Sequence, residues 1–217
     1  MKSFLLIGTG KFGRTLGQKL LDMGDEVTIV DKDESVVNEL APRYINAFIA
    51  NCMNIDNLRS MDVPSFEACI VAISEDFQAS LEITSNLKEL KAKKIISRAS
   101  TEIQAKFLLR VGADEVIYPD RDIAEKLAVR LNSRGVINYI DLDANFAIFE
   151  IACPKKWVGC TLIDINPRKK FGMNILTVKK GKVMLYSLEP DYEFEKDDQL
   201  VVFGKTDTIL KFTNKTK

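Results

Sequence analysis

Two periods alternate through the first two-thirds of this chain, and that alternation limits its possible folds more than any other feature. Short apolar or β-branched runs occur at Phe4–Ile7, Val27–Val30, Ala47–Ala50, Cys69–Ile73, Lys94–Ser97 and Val116–Tyr118. Between them lie stretches with apolar residues three and four apart, at Lys11–Met23, Glu34–Leu40, Ile55–Met61, Phe77–Leu90 and Ile103–Val111, with another at Ile123–Leu131. The first period suits a strand and the second an amphipathic helix. Strand and helix in strict alternation over six strands predict a parallel sheet wrapped by helices on both faces. Several runs are apolar throughout, as strands buried on both faces must be. Gly24 and Gly112 follow predicted helices, where a left-handed closing residue is expected. Asp120 or Asp122 is expected to cap the helix at Ile123–Leu131.

The rhythm changes at Asn132–Ile137, where Ser133, Arg134 and Gly135 form a polar break. Strands then predominate, at Phe146–Ala152, Met173–Lys179, Val183–Tyr186 and Leu200–Phe203, with short helices near Leu162–Ile165 and Thr208–Phe212. Lys180-Gly181 reads as a tight hairpin turn. The carboxylate-rich stretch Glu189–Asp198 reads as a solvated turn, and the basic tail Lys211–Lys217 is expected to fray. This organisation predicts two domains: residues 1–138, doubly wound α/β, and residues 139–217, a small α+β domain.

Composition removes whole classes of chemistry. The chain has 217 residues and no histidine, so Ser-His-Asp and Cys-His catalysis and His-ligated metals are excluded. Lys+Arg and Asp+Glu balance at 31 each, which argues against a nucleic-acid partner. Cys52, Cys69, Cys153 and Cys160 form no C-x-x-C pair and read as reduced, buried thiols of a cytoplasmic protein. Met1-Lys2-Ser3 leads straight into the first strand, so no leader peptide is expected. No apolar run reaches the roughly 20 residues of a membrane helix, so any membrane role must come through a partner.

Gly8-Thr9-Gly10-Lys11-Phe12-Gly13 directly follows the first strand and opens the first helix. Gly8 permits the tight turn, Gly10 lets backbone approach a diphosphate, and Gly13 lets helix and strand pack closely. The free N–H groups of the helix start face an anion, helped by the helix dipole. Asp31 ends the second strand, about 20 residues on, where a carboxylate can accept from a ribose hydroxyl. It should repel a 2′-phosphate and so disfavour NADP, an effect that Lys32 weakens. The expected fold is thus a Rossmann-like doubly wound sheet that binds an adenine nucleotide. NAD and ATP or ADP share the adenosine diphosphate half, and the turn does not separate them. A dehydrogenase would also need acid–base groups from a second domain. No such cluster stands out, and no Tyr-x-x-x-Lys pair is present.

Several ordered motifs together resemble the RCK (KTN) domain of potassium-conductance regulators. They are Leu6-Ile7-Gly8-Thr9-Gly10-Lys11-Phe12-Gly13, then Asp31, Ile49-Ala50-Asn51 and Val71-Ala72-Ile73, then Arg110–Asp122, Asn138–Leu142 and Arg168–Ile175. The likeness runs from about residue 2 to residue 212 and is nearest to the single-RCK subunits of Ktr-type transporters. It implies a cytoplasmic regulatory subunit, not an enzyme, that forms dimers and octameric rings on a potassium-translocating membrane protein. ATP would favour the conducting state and ADP the resting one.

The same resemblance implies roles for individual residues. Gly8, Gly10 and Gly13 would hold phosphates beside Lys11 and Phe12, Asp31 would hold the ribose, and Lys32 would belong to the same nucleotide site. Asn51 and Cys52 would line the adenine side, with Ile73, Ser74 and Arg98 near the phosphates. Lys11 stands where relatives usually carry arginine, so it keeps the charge without the bidentate fork. Asp120 stands where relatives often carry the glutamate that holds a divalent cation such as Mg²⁺ or Ca²⁺. In the second domain, Arg168 and Asn174 would meet the phosphates of cyclic di-AMP, and Ile163, Ile165, Ile175 and Pro190 its bases. The alternatives are an NAD(H)-sensing regulator of the same fold and, ranked last, a small NAD-dependent oxidoreductase.

Overall fold

A computed structural model describes residues 1–215 of the protein. The chain divides into two compact units, Met1–Asp120 and a second that begins at Arg121. The division falls ahead of the boundary at residue 138 expected from the change of rhythm. Most of the helix before the polar break therefore groups with the second unit.

In the first unit the expected alternation holds. The elements are β1 (Ser3–Ile7), α1 (Lys11–Asp22), β2 (Glu26–Asp31), α2 (Glu34–Leu40), β3 (Asn46–Ile49), α3 (Ile55–Arg59), β4 (Ala68–Val71), α4 (Phe77–Glu89), β5 (Ile95–Arg98), α5 (Glu102–Val111) and β6 (Glu115–Ile117). Next, α6 (Pro119–Asn132) begins in this unit and continues into the second. The six strands lie in the order β3-β2-β1-β4-β5-β6, and all their pairings are parallel. Sequence moves outward from β1 in one direction, then from β4 in the other. The carboxyl ends of β1 and β4 therefore flank the crevice where such sheets bind ligands.

Alternate residues of each strand feed two separate cores. Leu5, Ile7, Val30, Cys69 and Val71 pack on one face with α4 and α5 residues such as Ile83, Leu87 and Leu108. Leu6, Val27, Ile29, Ile70 and Ala72 pack on the other, with Leu40 and Tyr44. Each fully buried aliphatic side chain contributes about 1.5–3 kcal/mol of transfer free energy. Helix starts are capped as their residues dictate: Asp33, Asn54, Asp76 and Thr101 each accept from a backbone N–H of the following turn. Gly24 and Gly112 adopt positive φ of 85° and 122°, as the helix ends demand. Asp120 and Asp122 do not cap α6. The helix already begins at Pro119, which suits a first helical position, so both aspartates lie inside it.

The second unit holds β7 (Val136–Asp141), β8 (Phe146–Ala152), α7 (Leu162–Ile165), α8 (Pro167–Phe171), β9 (Met173–Lys180), β10 (Val183–Met184), β11 (Asp198–Lys205) and α9 (Thr206–Lys215). Its sheet is antiparallel in the order β10-β9-β11-β8-β7. Burial alternates strictly along β8 and β11, so only one face is covered. Ala147, Phe149, Ile151, Leu200 and Val202 supply that core, with Trp157 and Ile209 from the covering segments. Lys180 pairs with Val183 across Gly181-Lys182, so the hairpin turn lies one residue later than Lys180-Gly181.

Three expectations for this unit need correction. Periodicity did not mark β7 or α8, which are short and partly polar. Glu189–Asp198 is not simply a solvated turn, because Phe194 is buried and Asp198 is 2% exposed. The Asp198 Oδ2 accepts from the Tyr192 hydroxyl at 2.8 Å and the Glu195 N–H at 2.9 Å, which compensates its burial. Burial and the Asp198 carboxylate together push the Tyr192 hydroxyl up to about 12. The tail does not fray from Lys211, since α9 runs through Lys215 with Ile209 and Thr213 buried; Thr216 and Lys217 lie outside the described residues.

Candidate functional site

The turn between β1 and α1 is built as its glycines require. Gly8 has φ 93°, and a Cβ there would lie 2.9 Å from the Ile73 side chain. A Cβ on Gly13 would fall 2.2 Å from the Gly8 carbonyl oxygen, so only glycine lets α1 approach β1. Gly10 differs: it caps α1 at φ −63° with no side chain over the helix start, and an added Cβ would meet nothing within 4 Å. The protein leaves open the one glycine position where a ligand backbone approach is expected.

Thr9 and Asp31 lock this turn to β2. The Thr9 N–H and hydroxyl both donate to Asp31 Oδ2 at 2.7 Å, and the Asp33 N–H donates to Oδ1 at 3.1 Å. Partial burial works to raise the Asp31 pKa. The hydrogen bonds from Thr9, Asp33 and Lys32 outweigh it and hold the carboxyl below its ordinary value. Arg14 adds a second clasp, its Nε donating to the Thr9 carbonyl at 3.0 Å while the guanidinium pairs with Glu39 at 2.9 Å. Neither Thr9 nor Arg14 was singled out from the sequence. A lone hydroxyl residue set directly between Gly8 and Gly10 was the available signal for Thr9.

The remaining predicted residues sort into three groups. Ile73 and Ser74 follow β4 and are half-buried, with Ile73 beside Gly8. Lys11 opens α1, Lys32 follows β2 and Asn51 follows β3; all three are exposed. Asn51 is partly committed, its Oδ1 accepting the Met53 N–H at 3.1 Å. Cys52 does not present its side chain to the crevice: it is 3% exposed and packs in the core under β2 and β4. Burial, helped by the Asp31 charge, pushes its thiol up to about 12.

Arg98 closes the other side of the crevice at the end of β5. Its guanidinium carbon lies 5.6 Å from the centre of the Phe12 ring, so the two predicted residues touch as a cation–π pair. Its side chain is only 16% exposed, and it pairs with Asp120 at 3.3 Å. The Arg98 Nε is buried with no hydrogen-bond partner. A buried donor of this kind costs free energy until an acceptor reaches it. Together with the open face at Gly10, it makes this crevice fit an anionic group. Asp120 is thus engaged by Arg98, and among the described residues no group of three or more His, Cys, Asp or Glu is placed to hold a metal ion.

The second unit carries a cavity of about 330 Å³ beside α7 and α8. Ile163, Arg168, Asn174, Ile175 and Pro190 line it, over a floor that includes Met173. Ile165 does not reach it; α7 is one turn long, and at that position the side chain turns inward to the core at 6% exposure. The cavity combines an exposed guanidinium and a side-chain amide with aliphatic walls, chemistry suited to a phosphate bearing a flat apolar group.

Cys69 and Cys153 are buried as expected, whereas Cys160 is partly exposed. Among the described residues no helix is long and apolar enough to cross a membrane.

Comparison with known proteins accords with both halves of this architecture. The TrkA-N domain family matches residues 4–119 and the TrkA-C domain family residues 146–217. "Ktr system potassium uptake protein A" of Bacillus subtilis (strain 168) is 37% identical over 98% of this chain and 96% of its own. "Ktr system potassium uptake protein C" of the same organism is 34% identical over 97% of this chain and 96% of its own. Among solved structures, the GsuK channel bound to NAD superposes with a TM-score of 0.68 at 15% identity. That match covers 98% of this chain and 39% of the channel, so the chain spans about two fifths of that protein. The GsuK likeness shows the fold, while the family matches and the identity to the two Ktr proteins over nearly their whole length show the lineage: this chain belongs to the Ktr potassium-uptake protein family, as a TrkA-N domain followed by a TrkA-C domain.

Proposed function

We propose that this chain is a regulatory subunit of a potassium uptake system, controlled by an adenine nucleotide held at the Gly8–Gly13 turn. The observation that carries the reading is the crevice itself. Gly10 is open, the start of α1 lacks a side-chain cap, and Arg98 faces the same turn through Phe12 with its Nε unsatisfied. Asp31 spends Oδ2 on Thr9 and part of Oδ1 on Asp33, which leaves an acceptor position on Oδ1 for one ribose hydroxyl. Lys11 and Lys32 flank the mouth, exposed and without an ion pair among the described residues.

Regulation requires that ligands differ in what they touch, since equal affinity for two states shifts nothing. A third phosphate brings charge toward Lys11 and Arg98 that a diphosphate does not. Arg98 is also the residue that Asp120 holds, so phosphate and carboxylate compete for one guanidinium, unless a divalent cation bridges them. The membrane-embedded potassium pathway belongs to a partner protein, and the subunit acts as a homo-oligomer, from dimer to octameric ring. In the second unit, the cavity beside Arg168 and Asn174 takes cyclic di-AMP.

Isothermal titration of the purified protein with ATP, ADP, NADH and NADPH tests the central reading, with Gly10→Ala as the control variant. Binding of ATP and ADP that Gly10→Ala abolishes is the expected result. Binding of NADH alone would replace it with an NAD(H)-sensing regulator, because Asp31 and the turn read the adenosine diphosphate half common to both. Binding of none would show that the turn is structural here.

A further inference from the structure

A second, smaller cavity lies in the TrkA-C unit, away from the one beside Arg168. It measures about 180 Å³, several times the roughly 30 Å³ one water occupies in the liquid. Its walls come from the residues just before β7, the end of β8 with the turn that follows it, and α9, with Arg134, Gly135, Cys153, Lys155 and Phe212 among them. Two of these are cations, and no lining residue is acidic. Among the described residues neither Arg134 nor Lys155 forms an ion pair. The nearby acid Asp198 is committed to Tyr192 and Glu195 and is not part of the wall. One residue before Arg134, the hydroxyl of Ser133 is buried with no hydrogen-bond partner.

An aromatic cluster borders this cavity through Phe212. Trp157 lies 5.3 Å from Phe212 and 5.5 Å from Phe171, and Phe171 lies 5.1 Å from Phe212. The interlocked rings tie the Lys155–Trp157 turn to α8 and α9. Lys156, Lys170 and Lys211, each next to one of these rings in sequence, are exposed. The cavity lies against one ring of this cluster, Phe212.

We propose that this cavity is a binding site for a phosphate group, with Arg134 and Lys155 as its charged ligands. The Arg134 guanidinium offers the planar fork that suits two phosphate oxygens, and the Lys155 ammonium adds a point charge. Gly135, at φ 81°, lines the cavity without adding a side chain to it. The site is separate from the adenine-nucleotide crevice and does not depend on it.

A free phosphate and a lipid headgroup share this chemistry, and one experiment separates them. Inorganic phosphate is titrated calorimetrically into the full chain at constant ionic strength. In parallel, the chain is co-sedimented with phosphatidylglycerol vesicles and with phosphatidylcholine vesicles. Both series are repeated with Arg134→Gln and Lys155→Gln, which change exposed side chains, and the circular-dichroism melt checks that each folds. Loss of phosphate affinity by about tenfold or more in each variant, with ATP binding unchanged, supports the site and makes free phosphate its ligand. Loss of co-sedimentation with phosphatidylglycerol in the same variants supports it with a headgroup as ligand. If both variants bind phosphate and vesicles as the parent chain does, or if the parent binds neither, the proposal is overturned.

Discussion

Asp31 Oδ2 lies 2.7 Å from both the backbone nitrogen and the hydroxyl oxygen of Thr9, a residue only 1% exposed. The carboxylate at the end of β2 therefore holds the Gly8–Gly13 turn in place from 22 residues away. Asp31→Ala should leave two buried donors unsatisfied, at a cost of about 2–4 kcal/mol. At about 2–4 °C per kcal/mol for a chain of this size, the melting temperature should fall by several degrees. Loss of nucleotide binding in this variant would mix folding with recognition, which a thermal melt beside the titration would reveal.

Asp31 also makes stability depend on pH. Its folded-state pKa is lowered from 3.8, so the unfolded chain binds its proton first as pH falls. The stabilisation is present in full above the unfolded value and is lost as pH drops through the lowered folded value. Melts between pH 3 and pH 7 should show the parent chain losing stability at the acid end more steeply than Asp31→Asn.

Gly10 and Gly13 should respond in opposite ways to the same added methyl group. Gly10→Ala meets nothing within 4 Å at an ordinary φ of −63°. It should cost less than about 1 kcal/mol as a cap change while blocking phosphate approach. Gly13→Ala puts Cβ 2.2 Å from a backbone oxygen and should destabilise by about 3 kcal/mol as α1 is pushed off β1. Paired melts and ATP titrations check both. A Gly10→Ala protein that still binds ATP as the parent does would remove the crevice from the mechanism.

The Arg98–Asp120 pair is half exposed, at 16% and 74% for its two side chains. Asp120→Asn should therefore change stability by less than about 1 kcal/mol. In the absence of divalent cations it should tighten ATP several-fold, because the carboxylate no longer competes for the guanidinium and no longer repels phosphate. Added Mg²⁺ should help the parent more than the variant if a cation bridges Asp120 and the nucleotide. Titrations with and without Mg²⁺ read both effects.

Trp157 is 5% exposed and packs against Phe171, Phe194 and Phe212. Trp157→Ala should cost about 3–5 kcal/mol, enough to unfold much of the TrkA-C unit. Circular dichroism and limited proteolysis of that unit check it.

In the first unit, local sequence settled most of what depends on period or on a single backbone need. The six parallel strands and their helices were legible because strands buried on both faces must be apolar throughout and amphipathic helices must repeat near 3.6. The glycine turn was legible because Gly8 and Gly13 answer to close approaches that no side chain allows. Beyond those, partners distant in sequence decided the outcome. The engagement of Asp31 by Thr9 spans 22 residues, as does that of Arg98 by Asp120. Asp198 could be buried only because Tyr192 and the Glu195 N–H meet it there. Ile165 and Ile163 are two residues apart on the single turn of α7, yet one enters the core and the other the cavity wall. Charge and polarity read along a chain cannot distinguish a solvated carboxylate from a buried, satisfied one, because burial is a property of the assembled neighbours and only the tertiary structure brings them together.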